Sequence, residues 1–393
     1  MTDILERPHV RQELPQRVTG VLDIGGGSPA ASSGRGGGAP GRLRGPGWAA
    51  TPGDVQVPQA LIRKHGLRKG DLVEGLAGRP GALGEVLLVN GLPPGGPRPH
   101  FGDLTPIHPR QRLRLESPAL KGTGALSGRL MDLVAPVGLG QRGLLVAPPK
   151  AGKTMLLQSI AAAIEANHPD CHLMVVLLDE RPEEVTDMRR TVRGEVVSST
   201  FDQPAKQHIA VAELAVERAK RLVEQGQDVV ILLDSLTRLC RAHNTAAHSS
   251  GRTLSGGVDA AALIGPKRLF GAARLAEEGG SLTILATALV DTGSRADDFY
   301  YEELKSTGNM ELHLDRSLAE RRIFPAVDVT ASGTRREELL LPAGELTVVR
   351  GLRRVLQGRD AQSGLDVLLE RMRHTPDNTS LLRQIQSTLP ATA

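Results

Sequence analysis

Ala147-Pro148-Pro149-Lys150-Ala151-Gly152-Lys153-Thr154 stands between an apolar run, Gly143-Leu144-Leu145-Val146-Ala147, and a stretch of helical period from Met155 to Ala166. It has the spacing of a phosphate-binding loop, with Ala147 where the pattern carries its first glycine. Such a loop holds phosphates on backbone N–H groups at the start of a helix. Pro148, Pro149, Lys150, Ala151 and Gly152 would form the cradle, Lys153 would reach the outer phosphates, and Thr154 would ligate Mg²⁺. The expected ligands are therefore ATP and Mg²⁺. A structural glycine loop is the competing reading, and the strand–loop–helix setting weighs against it.

Working outward, His172 to Leu178 reads as a second apolar strand and Asp228-Val229-Val230-Ile231-Leu232-Leu233-Asp234 as another. Asp234 ends its strand, where a carboxylate anchors Mg²⁺ through water or through Thr154; a helix N-cap is the alternative. The stretch Asp179-Glu180-Arg181-Pro182-Glu183-Glu184-Val185 closes the intervening strand. A carboxylate there can orient the attacking water, and Glu180 is the candidate base. Acidic residues also favour a first helical turn, which accounts for Glu183 and Glu184. Ile209 to Gln225 and Val258 to Ala276 read as helices, and Ser281 to Leu289 as a strand. Alternating β and α with wholly apolar strands predicts an α/β parallel sheet covered on both faces. Asp234 follows Thr154 by 80 residues with a strand between them. That arrangement fits a RecA-type P-loop ATPase core over 125–345.

Ahead of that core the texture differs. Arg17 to Ile24, Asp54 to Val57, Asp71 to Gly75 and Gly84 to Val89 alternate in the manner of short strands. They predict a small all-β barrel over 17–100, preceded by a tail at 1–16 and followed by a linker at 101–124. Within it, 25–53 holds 15 Gly or Pro among 29 residues, an insert of loop character. Residues 346–393 predict amphipathic helices packed on the core. Residues 1–120 carry 15 Lys and Arg against 10 Asp and Glu, although the whole chain is only +4. A polyanion is one reading of that excess and ordinary solubilising charge is the other. The two cysteines suggest no disulfide framework. No apolar run reaches the roughly 18 residues that span a bilayer, so the expectation is a cytoplasmic protein without a membrane partner.

Several further strings carry a resemblance. Asp179 to Thr186, Ser255-Gly256-Gly257-Val258-Asp259, Gly308-Asn309-Met310-Glu311-Leu312-His313-Leu314, Ile323-Phe324-Pro325-Ala326 and Ser332 to Leu340 resemble the transcription termination factor Rho family. The similarity runs from about residue 102 to about 345. It implies a homohexameric ring that hydrolyses ATP between subunits and moves along nascent RNA to release it from RNA polymerase. RNA polymerase and its elongation factors are the implied protein partners. By resemblance Arg335 is the arginine finger given to the neighbour, and Arg181 a further arginine near the nucleotide. Met155 and Phe324 match the apolar pair on adenine. The loops His243–Gly257 and Asp291–Arg295 match the RNA-gripping loops, placing Arg252, Gly256, Gly257 and Arg295 against RNA. Arginines stand where the family commonly carries lysines.

The N-terminal region departs from the family. The resemblance implies an OB-fold-like, cold-shock-like barrel that stacks pyrimidines on aromatic rings, yet Trp48 is the only aromatic in residues 1–100. Where an aromatic-rich strand belongs, the chain reads Gly41-Arg42-Leu43-Arg44-Gly45. Trp48, Arg42 and Arg44 are the candidate RNA contacts of the barrel. Losing two stacking platforms at roughly 1–3 kcal/mol each would weaken base recognition by about two to four orders of magnitude. A paralogue whose ring acts through a protein partner therefore stands as the alternative.

Overall fold

The computed structural model describes residues 16–25, 40–247, 254–357 and 361–388. The chain divides into two compact units, one of Met1–Pro46 with Ala50–Pro97 and one of Gly47–Ala49 with Arg98–Ala393.

The first unit is an antiparallel sheet of β1 (Arg17–Asp23), β2 (Gly41–Arg44), β3 (Val55–Val57), β4 (Leu72–Ala77) and β5 (Leu83–Val89) in the order β3-β2-β1-β4-β5. A short helix, α1 (Gln59–His65), joins β3 to β4. The Gln56 N–H donates to Gly81 O at 2.8 Å, and a bridge from Gln56 to Ala82 brings the outer strands together, curling the sheet into a barrel. Alternation places Leu22, Leu43, Val57, Val73, Leu83, Val86 and Val89 inside. Four residues of the Gly/Pro-rich stretch thus form β2, a strand that its glycine content concealed. Residues 26–39 of that stretch and the tail 1–15 lie outside the described residues.

The second unit is built on a sheet in the order β14-β13-β7-β12-β10-β8-β9. Its strands are β6 (Pro106–Ile107), β7 (Arg142–Ala147), β8 (His172–Glu180), β9 (Glu195–Thr200), β10 (Asp228–Asp234), β11 (Arg274–Ala276), β12 (Ser281–Leu289), β13 (Met310–Leu314) and β14 (Val327–Thr334). The five central strands β7, β12, β10, β8 and β9 are mutually parallel, β13 joins them parallel to β7, and β14 returns antiparallel at the edge. The short β6 and β11 pair off the side of β12. Helices cover the sheet: α2 (Gly122–Val134), α3 (Lys153–Asn167), α4 (Pro182–Thr191), α5 (Ala205–Val223), α6 (Leu236–Ala246), α7 (Ile264–Phe270), α8 (Arg295–Lys305) and α9 (Arg316–Glu320). Three more, α10 (Ala343–Gln357), α11 (Ala361–Arg373) and α12 (Asn378–Thr388), form the C-terminal segment. Leu352, Leu365, Leu368 and Leu381 bury into the same core as β7 and α3, so this segment belongs to the ATPase unit.

Three readings of the sequence need correction. Residues 101–124 are no free linker: Leu113 and Leu115 are fully buried, and α2 begins inside the stretch. The run Val258–Ala276 is not one helix. It is a 3₁₀ turn at Ala260–Leu263, then α7, then β11, because Gly271 ends the helix and Arg274–Ala276 pairs with β12. A further strand, β9, lies between β8 and β10 in sequence. Its Ser198, Ser199 and Thr200 have little apolar content, so the sequence reading has one strand between Thr154 and Asp234 where the fold has two.

Candidate ATPase site

Three parallel strands end at one edge and each delivers a loop there. The first loop leaves β7 and enters α3. Its left-handed residues are Lys150 (φ 66°) and Gly152 (φ 91°). Ala147 is still in the strand and fully buried, so alanine carries no conformational penalty where the pattern has glycine. Helix α3 has no side-chain N-cap, which leaves its first N–H groups for an anion. A methyl added at Gly152 would come 3.3 Å from the Phe324 ring, so the phenyl lies against the loop. Met155 is 49% exposed on the first turn of α3, giving the loop a second apolar flank. Pro149 and Lys150 are exposed, whereas Pro148 and Ala151 are buried.

Lys153 crosses the edge of the sheet. Its ammonium donates to Asp234 Oδ1 at 2.6 Å and to Glu180 Oε1 at 3.0 Å. Asp234 closes β10, is 2% exposed, and also accepts from Thr287 Oγ1 at 2.8 Å. Glu180 closes β8 and is 3% exposed. The pairing of β8 with β9 slips between Leu178 and Glu180, and Asp179 sits there at φ 57°. This bulge aims the Glu180 side chain into the cleft. Burial by itself would raise the Glu180 pKa, but Lys153 and Arg238 more than offset it and hold the carboxyl below its ordinary range. For Lys153, burial pulls the pKa down and the two carboxylates outweigh it, leaving the ammonium raised.

Two participants escaped the sequence reading. Arg238 NH1 lies 3.0 Å from Glu180 Oε1 and also donates to the carbonyls of Leu178 and Asp179. The signal was its position four residues after Asp234, one turn into α6 and on the side facing β8. Glu184 is the other. Burial and then repulsion from Glu180 push its pKa up, so it is a site residue rather than only a first-turn acid. Arg181, the residue between β8 and α4, is exposed.

For Mg²⁺ the available donors are the half-buried Thr154 hydroxyl on α3 and the Asp234 carboxylate. Both are hard oxygen ligands, and a small divalent cation that keeps most of its water suits so sparse a set.

Arg335 lies elsewhere. Its N–H donates to Asn309 O at 2.9 Å, beside the start of β7, and its side chain is exposed. From Arg142 to Ala147 the strand covers about 17 Å, far more than an extended arginine side chain spans. Arg335 therefore stands at the opposite edge of the sheet from its own phosphate loop.

The two candidate RNA loops meet. Gly256 adopts φ 72°, and a methyl there would come 2.7 Å from Ala296 N, so only glycine fits against the start of α8. Arg295 is the exposed first residue of that helix, and Gly257 is exposed beside it. Arg252 lies outside the described residues. Helix α6 connects these loops to the cleft. Arg238 is at Glu180, Arg241 Nε donates to Asp297 Oδ1 at 2.9 Å, and the Asn244 side chain accepts from Asp259 N at 2.8 Å. Asp297 is fully buried and also accepts from Thr292 Oγ1 at 2.6 Å.

In the barrel Arg42 is exposed on β2. Arg44 is not available in the same way. It donates to Asp23 Oδ2 at 3.0 Å and pairs with Asp54, and these carboxylates outweigh burial to raise its pKa. Trp48, which groups with the second unit, is 4% exposed and offers no open ring face.

Comparisons with known proteins agree with this geometry. Residues 128–334 match the ATP synthase alpha/beta family, nucleotide-binding domain. Transcription termination factor Rho of Streptomyces coelicolor is 66% identical over 392 residues, covering all of this chain and 91% of that protein. Those of Streptosporangium roseum and Streptomyces lividans are 55% and 59% identical. The chain spans 95% of the former and 50% of the latter. Among solved structures, a prototypical ATPase from the type III secretion system of pathogenic bacteria superposes with a TM-score of 0.59 at 21% identity, covering 78% of this chain and 95% of that one. The assembled ATPase EscN from enteropathogenic E. coli gives 0.57 at 22% identity, covering 75% and 68%. At those identities the likeness is one of fold. Among the described residues no helix is long and apolar enough to cross a membrane.

Proposed function

The chain belongs to the transcription termination factor Rho family, and from that premise we propose that it terminates transcription as an ATP-driven translocase pulling on nascent RNA. The observation that carries this reading is the meeting of Lys153, Glu180, Asp234 and Arg238 at one sheet edge while Arg335 stands at the other.

ATP binds with its outer phosphates on the loop 148–154. Lys153 exchanges its two carboxylate bonds for phosphate oxygens, and the freed Glu180 carboxylate orients the attacking water. Arg238 holds that carboxylate in place and ionised. Glu184 stands close enough to share a proton with it. Phe324 and Met155 flank the base. Mg²⁺, when bound by Thr154 and Asp234, neutralises charge on the phosphates. Arg181 and Arg335 supply further positive charge as the phosphoryl group transfers. Because Arg335 is about 17 Å from its own loop by strand length, it serves a neighbouring copy, which requires a ring. A homohexamer is the form proposed, working in the cytoplasm with RNA polymerase and its elongation factors as partners.

RNA is gripped by Arg295, Arg252 and the Gly256–Gly257 turn. Helix α6 carries the state of those loops to Glu180 through Arg241 and Arg238. Arg42 adds a phosphate contact in the barrel, where Arg44 serves folding more than binding.

The test is ATP hydrolysis with and without cytidine-rich RNA, beside an Arg252→Ala/Arg295→Ala double variant and Lys153→Ala. Strong RNA stimulation, lost in the double variant, supports the translocase. Hydrolysis indifferent to RNA would sink it.

A further inference from the structure

At the edge of the sheet opposite the phosphate loop, three arginines gather without a counter-ion. Arg142 opens β7 and is half-buried; its Nε donates to Thr307 O at 2.9 Å and its NH1 to Ala273 O at 3.0 Å. Both partners are carbonyls just beyond helix ends, so the guanidinium is fixed but its charge is not neutralised. Arg274 lies over the Phe101 ring at 4.6 Å and donates to Ala272 O at 3.2 Å. Arg335 is exposed. Among the described residues no carboxylate comes within 4.0 Å of any of the three. Burial, and then repulsion from Arg274 and Arg335, pushes the Arg142 pKa down.

Asn309 fixes the spacing of two of these. Its N–H donates to Arg142 O at 2.9 Å, its Oδ1 accepts from Arg142 N at 2.9 Å, and its carbonyl accepts from Arg335 N. The buried Gln141 locks the Asn309 side chain by donating to Oδ1 at 2.7 Å. The root of Arg335 is thereby tied to the start of β7, the strand that ends in this protomer's own phosphate loop.

Crowding cations in a partly buried place is unfavourable unless an anion joins them. Arg142 cannot move, while Arg335 can, so repulsion directs the Arg335 side chain away from the protomer. We propose that Arg142 is a positioning residue for ATP hydrolysis at the neighbouring protomer's site. It holds Arg335 outward through Asn309 and adds its own field to the polyphosphate that Arg335 meets. This rests on the reading that Arg335 serves the next protomer.

The competing role is a staple for two helix ends, which would affect folding alone. Full-length Arg142→Gln and Arg142→Lys separate the two. Charge loss in Arg142→Gln should lower kcat of RNA-stimulated hydrolysis about three- to thirtyfold, with KM for ATP changed by no more than about twofold. Arg142→Lys, which loses the fork but keeps the charge, should recover most of kcat. Equal losses of melting temperature in both, with kcat per folded protein unchanged, would overturn the proposal. Mixed rings give the second readout, and Arg142→Met, another charge-loss variant, can stand in if Arg142→Gln folds poorly. Combined with Lys153→Ala, whose Arg142 is intact, the mixture should hydrolyse more ATP than the two proteins assayed apart. A mixture no better than their sum refutes action on a neighbour. If Arg335→Ala itself leaves kcat untouched, the parent reading falls; if Arg335→Ala cripples hydrolysis and Arg142→Gln does not, only the present proposal falls.

Discussion

Arg238 NH1 stands 3.0 Å from Glu180 Oε1, so the carboxylate oxygen that accepts from Lys153 is shared with a second cation. A carboxylate held below its ordinary pKa stays ionised across neutral pH. It stops accepting a proton only as pH falls through the lowered value. Removing one cation raises that value, so activity should fail earlier on acidification. Arg238→Gln is expected to shift the acid limb of the kcat profile to higher pH and to lower its plateau about tenfold or more. An unchanged acid limb would mean that Glu180 is not the group whose ionisation the rate follows.

The pairing of Arg241 with Asp297 places a charged link between α6 and the start of α8. Asp297 is fully buried and shared with Thr292, so neutralising it leaves Arg241 without its carboxylate partner. Asp297→Asn should lower the RNA-stimulated rate about tenfold and raise the RNA concentration needed, while fluorescent ADP still binds within about threefold. Should nucleotide binding fall in step with the RNA response, α6 would be a structural support and not a link between sites.

Gly256→Ala probes the same junction from the other loop. The added methyl meets Ala296 N at 2.7 Å and must also adopt φ 72°, so the loop has to leave α8. RNA stimulation should drop with little change in the melting temperature, since the turn is exposed. A full RNA response in this variant would show that contact between the loops is dispensable.

The parts of this molecule that were legible in its sequence are those where chemistry and periodicity coincide. The phosphate loop, Asp234 and Glu180 each end an apolar strand, and such strands can lie only inside a covered parallel sheet. Arg238 was harder to find because an arginine three residues into a helix is ordinary; only the fold turns that face toward β8. Trp48 and Arg44 are hard to read for the opposite reason. Their residue types suit RNA, but burial and the Asp23–Arg44–Asp54 pairing commit them to packing, which composition cannot express. The strand β9 was invisible because its serines satisfy no apolar pattern, and pairing with β8 alone makes it a strand.

The barrel separates stability from binding at two arginines on one strand. Arg44 is part-buried between Asp23 and Asp54, and Asp54 keeps only its Thr51 bonds if the guanidinium is removed. Arg44→Ala should therefore cost roughly 2 kcal/mol in denaturant unfolding of the barrel. Burial alone would raise the Asp54 pKa, while Thr51 and Arg44 together hold it down. The stability Arg44 contributes is therefore present above the ordinary carboxylate range and lost as pH falls through the lowered value. The cost of Arg44→Ala should shrink accordingly on acidification. Arg42 faces solvent and has no such role, so Arg42→Ala should leave unfolding unchanged. It should weaken RNA binding across sequences alike and reduce the slope of log affinity against log salt by about 1. Binding that instead depends strongly on pyrimidine content would mean that bases are recognised on this chain without the aromatic platforms its barrel lacks.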